Sequence, residues 1–366
     1  MKVICEGLEL SDAVLKVIKG TSTRSTNPIL EGIKVVAEED KLILTATDLE
    51  LAIEKTIRAD VKIEGETVIP AKFFSEYIKK LTKEQIELNL DSTNILTIKC
   101  SDSIGKIQCF NGNEFVAIKK VDLNQCFEVT KGDLKNLINK VIFAVAQDDI
   151  RPILKGCKFE IGDNKITAVA LDGFRLAKVE KPLISTTANF NVIVPARSLS
   201  EIEKLLEDND EIVKVYIDNN YLMVDLDNTK ITTRLLTGDF INYKQIIPTN
   251  FTSTVTINKE QFSDAIDKAS LISRLDKNNL VKFDISEKVM VLYSKSEIGN
   301  FEENITISLS GNDLVIAFNA KYFSDALKAI DQDFLKLNFT STIAPCIITS
   351  IDSDEFLYLI LPVRIM

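Results

Sequence analysis

The feature that most constrains this chain is a segment that recurs three times along its 366 residues. Each copy reads as a strand that runs directly into a helix, and the copies are VIPAKFFSEYIKKL (68–81), IVPARSLSEIEKLL (193–206) and AFNAKYFSDALKAI (317–330). They are 125 and then 124 residues apart, close to one third of the chain. Self-similarity at a fixed period indicates repeated structural units, so the sequence predicts three domains of one design.

A second helical pattern repeats upstream of each copy. Apolar residues spaced i, i+3, i+4 and i+7 begin at Leu10, Leu134 and Phe262, and this spacing predicts a helix that packs by one face. Segments such as NKITAVALDGFRLAKVE and KVMVLYSKS alternate with period two between turn residues, which predicts antiparallel strands. The expected fold class is α+β: three repeated domains, each with about two helices and antiparallel sheets, over residues 1–125, 126–250 and 251–366.

The composition excludes several classes of catalytic chemistry. The chain has no histidine and no CxxC pair among its six cysteines, so a Ser-His-Asp triad, a Cys-His pair and a His-ligated zinc are excluded. There is no phosphate-binding GxxxxGK[ST] loop and no GxGxxG. The acidic clusters, such as Glu207–Glu211 and the pair Asp148–Asp149, favour solvated turns over a metal or acid–base site. We therefore expect neither an enzyme nor a cofactor or metal. The unpaired cysteines and the absence of a signal peptide predict a cytoplasmic location.

Basic residues recur at equivalent positions although the chain has a formal net charge of −10. Lys72, Arg197 and Lys321 each begin the second helix of a third, and further lysines lie on the first helices. On a single helix, basic residues of this kind would be explained as ordinary solvent-exposed positions. Recurrence in all three thirds instead favours a common basic surface for sequence-independent binding of phosphates.

At this point the sequence resembles the beta subunit family of bacterial DNA polymerase III, the replicative sliding clamps. The resemblance covers the whole chain and rests on the repeat and on RSTNPIL (24–30), TDLE (47–50), QDDIRPILKG (147–156), LDGFRLA (171–177), VIVPARS (192–198), GDFINYKQIIP (238–248) and the LPVRI ending. It implies a head-to-tail homodimeric ring of six domains, with helices around the hole. Such a ring encircles double-stranded DNA and gives processivity to the replicative polymerase.

The resemblance also implies partners and sites. The expected partners are duplex DNA of any sequence, the polymerase catalytic subunit, an ATP-driven clamp loader, other replication and repair proteins that carry clamp-binding motifs, and a second copy of the chain. The expected DNA-binding residues are Arg24, Lys72, Gln147, Arg151, Arg197 and Lys321. The expected dimer interface contains Lys99, Lys106, Leu271, Ile272, Glu297, Glu302 and Glu303.

A pocket for partner peptides is expected between the second and third domains. By resemblance it contains Leu154, Leu171, Gly173, Phe174, Arg175, Leu176, Ile241, Ile246, Leu359, Leu361, Pro362, Val363 and Arg364. Leu171, Phe174, Ile241 and Val363 replace Thr, His, Pro and Met of familiar members, which predicts a more apolar pocket. Two other readings stay open: a non-catalytic three-domain scaffold that does not encircle DNA, and a nucleic-acid-processing enzyme.

Overall fold

The computed structural model describes residues 1–22, 26–81, 84–148, 150–274 and 279–364. Each third contains two α-helices within these ranges, and the helices pack in the pairs α1–α2, α3–α4 and α5–α6. The predicted α+β class, with two helices in each repeat, is therefore confirmed. The helices are α1 (Gly7–Val17), α2 (Ala71–Ile78), α3 (Lys131–Ile142), α4 (Ala196–Leu205), α5 (Lys259–Ser273) and α6 (Ala320–Lys328).

The predicted one-faced stripe explains why the first helix of each repeat packs as it does. Leu10, Ala13, Val14 and Val17 of α1 are all buried, as expected for a helix whose apolar residues follow a 3.6-residue period. The second helix of each repeat starts where a strand ends. Pro70 closes the strand before α2, since proline has no N–H to donate to a sheet.

The strands alternate buried and exposed residues along most of their length. Those of the first third are β1 (Lys2–Glu6), β2 (Gly32–Glu38), β3 (Lys41–Thr47), β4 (Leu51–Arg58), β5 (Asp60–Ile63), β6 (Gly65–Pro70), β7 (Gln85–Leu90), β8 (Ile95–Cys100), β9 (Ser103–Gln108) and β10 (Phe110–Asn111). Those of the middle third are β11 (Cys126–Thr130), β12 (Gly156–Gly162), β13 (Lys165–Leu171), β14 (Arg175–Pro182), β15 (Ser185–Thr186), β16 (Phe190–Pro195), β17 (Ile212–Ile217), β18 (Tyr221–Asp225) and β19 (Thr229–Arg234). Those of the last third are β20 (Ser253–Asn258), β21 (Leu280–Ser286), β22 (Val289–Ser296), β23 (Gly299–Gly311), β24 (Leu314–Asn319), β25 (Phe334–Phe339), β26 (Cys346–Ser350) and β27 (Phe356–Ile360).

The chain forms two compact units. Unit 1 combines Met1–Thr130 with Glu211–Leu235. It has a five-stranded sheet in the order β5–β1–β7–β8–β9 and a long sheet that includes β10–β6–β2–β3–β4–β19–β18–β17–β11. In the long sheet the last strand of the middle third pairs with the first third, since β19 is antiparallel to β4 and Ala52 lies opposite Thr232.

Unit 2 combines Lys131–Asp210 with Leu236–Met366. Its twelve-stranded sheet has the order β16–β12–β13–β14–β27–β26–β25–β20–β23–β22–β21–β24. Here too a final strand pairs with the preceding third, because β27 is antiparallel to β14 and Leu176 lies opposite Leu359. The domain boundaries at 125/126 and 250/251 stay predictions. Across the described ranges, no helix combines the length and the apolar character needed to cross a membrane.

Candidate peptide and DNA sites

The LDGFRLA motif forms a tight turn between β13 and β14. The Asp172 carboxylate accepts the backbone N–H groups of Phe174 (2.9 Å) and Arg175 (3.0 Å), and Gly173 adopts a left-handed φ of 92°. Glycine tolerates this conformation without a Cβ penalty. The turn leaves Phe174 58% exposed, with its ring stacked at 6.0 Å on Tyr322. An aromatic ring is therefore presented to solvent from a fixed backbone.

Arg175 is buried beside this turn. Its guanidinium donates to Asp172 from Nε at 3.0 Å and to Asp325 from Nη1 at 2.6 Å. It also lies over the rings of Tyr322 (4.8 Å) and Phe143 (5.5 Å). The side chain is thus fully engaged inside unit 2, so its part in the predicted pocket is to hold the turn rather than to present a charge.

An apolar cluster lies behind the turn. Its members come from β13, β14, β26, β27, the connection between α3 and β12, and the segment before β20. The predicted residues Leu154, Leu171, Leu176 and Leu359 are buried in it, and Ile241 packs against it while staying partly exposed. Sequence reasoning missed the remaining members, which are Ala146, Val169, Tyr243 and Ile347, with Ile153, Phe240, Ile247 and Leu357 packed against them. The high apolar content of GDFINYKQIIP was the available signal for Phe240, Tyr243 and Ile247.

The chain end is held next to this cluster by its backbone. The N–H of Leu361 donates to the carbonyl of Phe174 at 2.9 Å, and the N–H of Val363 donates to the carbonyl of Ala317 at 2.8 Å. Leu361 is 37% exposed and Ile246 is 46% exposed, while Pro362 and Val363 are half-buried and Arg364 is exposed. The backbone bond thus places two exposed apolar side chains, Phe174 and Leu361, at the ends of strands whose neighbouring residues enter the buried cluster.

The connecting segment before β20 is anchored by Tyr243. Its hydroxyl donates to Glu160 at 2.9 Å, and burial together with this carboxylate raises the pKa of Tyr243 above its ordinary value. Burial acts to raise the pKa of Glu160. The hydrogen bonds from Lys158 and Tyr243, with the charges of Lys158 and Lys244, outweigh burial and hold that pKa below its usual value. Glu160 therefore stays ionised and fixes the segment beside the cluster.

The predicted DNA-binding residues are exposed wherever they are described. Lys72, Arg197 and Lys321 occupy the second position of α2, α4 and α6, and all three are exposed. Gln147 and Arg151 are exposed in the segment between α3 and β12. Arg24 lies outside the described residues.

Other lysines of the repeated helices are engaged in ion pairs. Lys140, whose side chain is 5% exposed, meets Glu355 at 3.1 Å and Asp331 at 3.4 Å. Lys16 pairs with Asp12 at 2.9 Å. Lys140 is one of the first-helix lysines expected to contribute to a common basic surface, and for this residue the expectation is wrong because the packing of unit 2 buries it among carboxylates.

The predicted interface residues lie on three strands, one turn and one helix end. Lys99 and Lys106 are exposed on β8 and β9, and β9 is the edge of the five-stranded sheet. Leu271 is 55% exposed at the end of α5, and Ile272 beside it is half-buried. Of the predicted carboxylates, Glu297 precedes β23, while Glu302 and Glu303 lie on it, with Glu303 bonded to Lys268 at 3.0 Å.

Within the described part of the chain, no three or more Cys, Asp or Glu side chains are grouped as they would be to hold a metal ion. Five of the six cysteines are buried free thiols, and burial raises the pKa of the Cys157 thiol to about 12. These side chains pack the core.

Comparison with known proteins identifies the family. Three family models match in order: the DNA polymerase III beta subunit N-terminal domain over residues 1–119, the central domain over residues 128–242 and the C-terminal domain over residues 244–364. The beta sliding clamp of Staphylococcus epidermidis is 34% identical over 357 residues, which is 95% of each chain. The beta sliding clamp of Staphylococcus aureus is 33% identical over the same length and share.

Solved structures agree in fold along the whole chain. The DNA polymerase sliding clamp of Bacillus subtilis superimposes with a TM-score of 0.97 at 31% identity, and both chains are covered fully. A putative DNA polymerase III beta subunit of Eubacterium rectale superimposes with a TM-score of 0.96 at 34% identity, again with full coverage of both chains. The chain thus matches the three domain models in order, and it belongs to the beta subunit family of DNA polymerase III, the DNA sliding clamps.

Proposed function

We propose that two copies of this sliding clamp join head to tail into a ring that encircles duplex DNA and tethers the replicative polymerase to it. The observation that carries the proposal is the recurrence of one helix pair in each third, with a cation at the same position of α2, α4 and α6. The family as a whole acts as a non-catalytic processivity factor. A ring of this kind holds DNA by topology, so it needs only weak contacts with the phosphates.

The position of these cations supports phosphate binding rather than helix stability. A lysine or arginine at the start of a helix is unfavourable by about 0.3–1 kcal/mol, because the helix dipole is positive there. The same position suits an anion, since N–H groups of the first turn and a cation face it together. No side chain caps α2 or α4, whereas at α6 the N–H of Lys321 already donates to Asn319. Binding of phosphates at the helix starts would therefore explain why a cation recurs at Lys72, Arg197 and Lys321 despite its cost to helix stability. We include Gln147 and Arg151 in this surface because they are exposed in unit 2, and Arg24 by resemblance.

The free strand edges support the head-to-tail dimer interface, which we call the seam. The outer side of β9 has no strand partner among the described residues. β23 pairs with β22 along residues 299–306 and with β20 only from residue 307 onward. Two exposed edges invite antiparallel pairing. Lys99 and Lys106 beside β9 would then face Glu302 and Glu303 of the partner subunit's β23, with Leu271 and Ile272 as the apolar centre.

The apolar surface around Phe174 supports the binding of partner peptides. Phe174, Ile246 and Leu361 have exposed apolar side chains, and residues close to them in sequence or pairing enter a buried, mostly aliphatic cluster, as a site for two or three apolar anchors requires. By this route the clamp would bind the polymerase catalytic subunit, the ATP-driven loader and other replication and repair proteins.

Retention on DNA of different topology tests the ring. The chain is loaded with its ATP-driven loader onto nicked circular DNA and separated by gel filtration in high salt. We expect it to stay on the circle and to leave within minutes after the DNA is cut once, because an open end lets the ring slide off. Equal retention on circular and linear DNA would contradict encirclement and favour an ordinary binding protein.

A further inference from the structure

Unit 1 contains an open groove on one face of its long sheet. Two adjoining cavities of about 300 Å³ and 230 Å³ share Ala52, Ile118, Lys119 and Thr232. The floor consists of residues from β4, β18 and β19, and the wall is the connecting segment of residues 116–123. We call this feature the unit 1 groove.

The unit 1 groove occupies the same place in the repeat as the apolar cluster behind Phe174. Ala52 lies opposite Thr232, and Thr232 lies opposite Met223. In unit 2, Leu176 lies opposite Leu359, and Leu359 lies opposite Ile347. The wall segments also correspond, because residues 116–123 precede residues 240–247 by 124 positions, the offset that separates Ala52 from Leu176. Leucines fill the floor in unit 2, whereas Ala52 and Thr232 leave it open in unit 1.

A strained residue presents an apolar side chain at this groove. Leu49 lines the smaller cavity, is 55% exposed and has a φ of 80°. The equivalent residue in unit 2 is Gly173, with a φ of 92°. A side chain with a Cβ is held in this region at a cost of about 1–3 kcal/mol, and such residues cluster at ligand-binding sites. Nothing in the packing of the core requires an exposed leucine there.

The wall of the groove has unused hydrogen-bonding groups. The backbone of residues 116–121 makes no hydrogen bond to any described residue, although the segment crosses the face of the sheet. Unpaired N–H and C=O groups beside an apolar trough are what an extended peptide requires when it binds as an added strand.

The groove is basic in an otherwise acidic protein. Four cations and two carboxylates line it, and none of the six forms an ion pair with a described residue. The chain as a whole has a formal net charge of −10. Complementarity of charge therefore favours an acidic occupant over a basic one. The charged residues are Lys119, Lys120, Lys230, Arg234, Glu50 and Glu54.

We propose that the unit 1 groove is a second peptide-binding site of the clamp, which takes an extended segment of a partner protein with alternating aliphatic and acidic residues. The aliphatic side chains would lie against Leu49, Ile118 and Met223. The carboxylates would meet Lys119 and Lys230 at the rim. The site is distinct from the surface around Phe174, so each chain would hold two partner segments at once.

A photo-crosslinking experiment on the full chain locates the site. The probe is a fluorescein-labelled nonapeptide of alternating aspartate and leucine with one central benzoylphenylalanine. We expect cross-links to residues 116–123, mapped by mass spectrometry. Their absence at saturating peptide would overturn the proposal. Cross-links to residues 240–247 report separately on the surface around Phe174. Cross-links there without any to residues 116–123 would count against this proposal alone. The reverse result would count against the proposed function and leave this proposal standing.

Two variants test the roles of the named side chains by fluorescence anisotropy. Leu49→Gly removes the apolar side chain and also the left-handed strain, so it should fold normally while affinity at this site falls about tenfold. Lys119→Glu with Lys230→Glu should weaken binding about fivefold or more, and less so at high salt.

Matched control variants show whether a loss of binding is specific to the side chains of the groove. Ile63→Ala alters an equally exposed aliphatic residue of unit 1, and Lys62→Glu with Lys80→Glu makes the same charge change away from the groove. Both should bind the probe like the natural chain. If Leu49→Gly and the Lys119/Lys230 variant also bind it unchanged, the groove is not the site.

Discussion

The guanidinium of Arg175 donates from Nη1 to the carboxylate of Asp325 at 2.6 Å, although 150 positions separate the two residues. Its Nε donates to Asp172 in the turn that presents Phe174. The side chain of Arg175 is 7% exposed and that of Asp325 is 26% exposed. This bridge therefore links the turn between β13 and β14 to helix α6 inside unit 2.

Removing Arg175 should destabilise unit 2 strongly. Arg175→Ala leaves the carboxylates of Asp172 and Asp325 without their cation, and loss of one partner from a buried pair costs about 3–5 kcal/mol. Urea unfolding measures the change. A double-mutant cycle with Asp325→Ala should give a coupling of about 1 kcal/mol or more. Additive effects of the two substitutions would show that the bridge contributes little.

Truncation of the chain end should abolish the binding of partner peptides. Deleting residues 361–366 removes Leu361 and the backbone bonds that hold the tail to Phe174 and Ala317. Fluorescence anisotropy with a polymerase-derived peptide should then show no saturable binding, while sedimentation still shows a dimer. Phe174→Ala in the full chain should weaken binding about tenfold, and Phe334→Ala, an equally exposed ring elsewhere in unit 2, should not. Unchanged affinity in the truncated dimer would mean that the pocket is misplaced.

Loss of the apolar pair at the end of α5 should open the dimer. Leu271→Ala with Ile272→Ala removes aliphatic area from the centre of the proposed seam, and we expect a folded monomer in sedimentation equilibrium. Ile343→Ala changes an aliphatic side chain that is 81% exposed outside the seam and should leave the dimer intact. If the double variant sediments as a dimer, the seam lies elsewhere.

The helix-start cations should set the salt dependence of DNA binding. Lys72→Ala, Arg197→Ala and Lys321→Ala together should reduce the slope of log K against log salt by about 0.9 for each lost phosphate contact. The control triple variant replaces Lys62, Lys214 and Lys282, one strand lysine from each third, with alanine. It makes the same change of net charge. Equal slopes for the two triple variants would refute a specific role for the helix starts.

The ion pairs of Glu355 should make unit 2 sensitive to acid. Burial acts to raise the pKa of Glu355, but the hydrogen bonds and charges of Lys181 and Lys140 outweigh it, so the pKa lies below its ordinary value. A carboxylate whose pKa is depressed in the folded state stabilises the fold at pH values above its unfolded pKa. This stabilisation is lost as the pH falls through the pKa of the folded state.

Glu355→Gln should therefore be less stable than the natural chain at pH 6–7, and the difference should shrink as the pH falls below about 4. Urea unfolding across this range measures it. Asp354→Asn, next to it in the same loop, is the control and should show no such convergence. A stability difference for Glu355→Gln that does not change with pH would contradict the assignment.

Much of the architecture follows from local pattern. The period of about 124 residues gave three repeats, and the apolar stripe from Leu10 correctly predicted which face of α1 is buried. The motifs TDLE (47–50) and LDGFRLA (171–177) place Asp48 and Asp172 124 positions apart, and both form the same kind of turn. In both turns the aspartate side chain accepts the N–H groups two and three residues later. These features depend on residues close together in the chain, so the sequence alone determines them.

Only the tertiary structure decided which side chains meet across long separations. The burial of Arg175 depends on Asp325, and the engagement of Lys140 depends on Glu355, 215 positions away. The floor of the unit 1 groove depends on the register that sets Ala52 opposite Thr232. Such pairings come from the order in which distant strands join a sheet. That order is fixed by the burial of whole faces, and no local stretch of sequence records it.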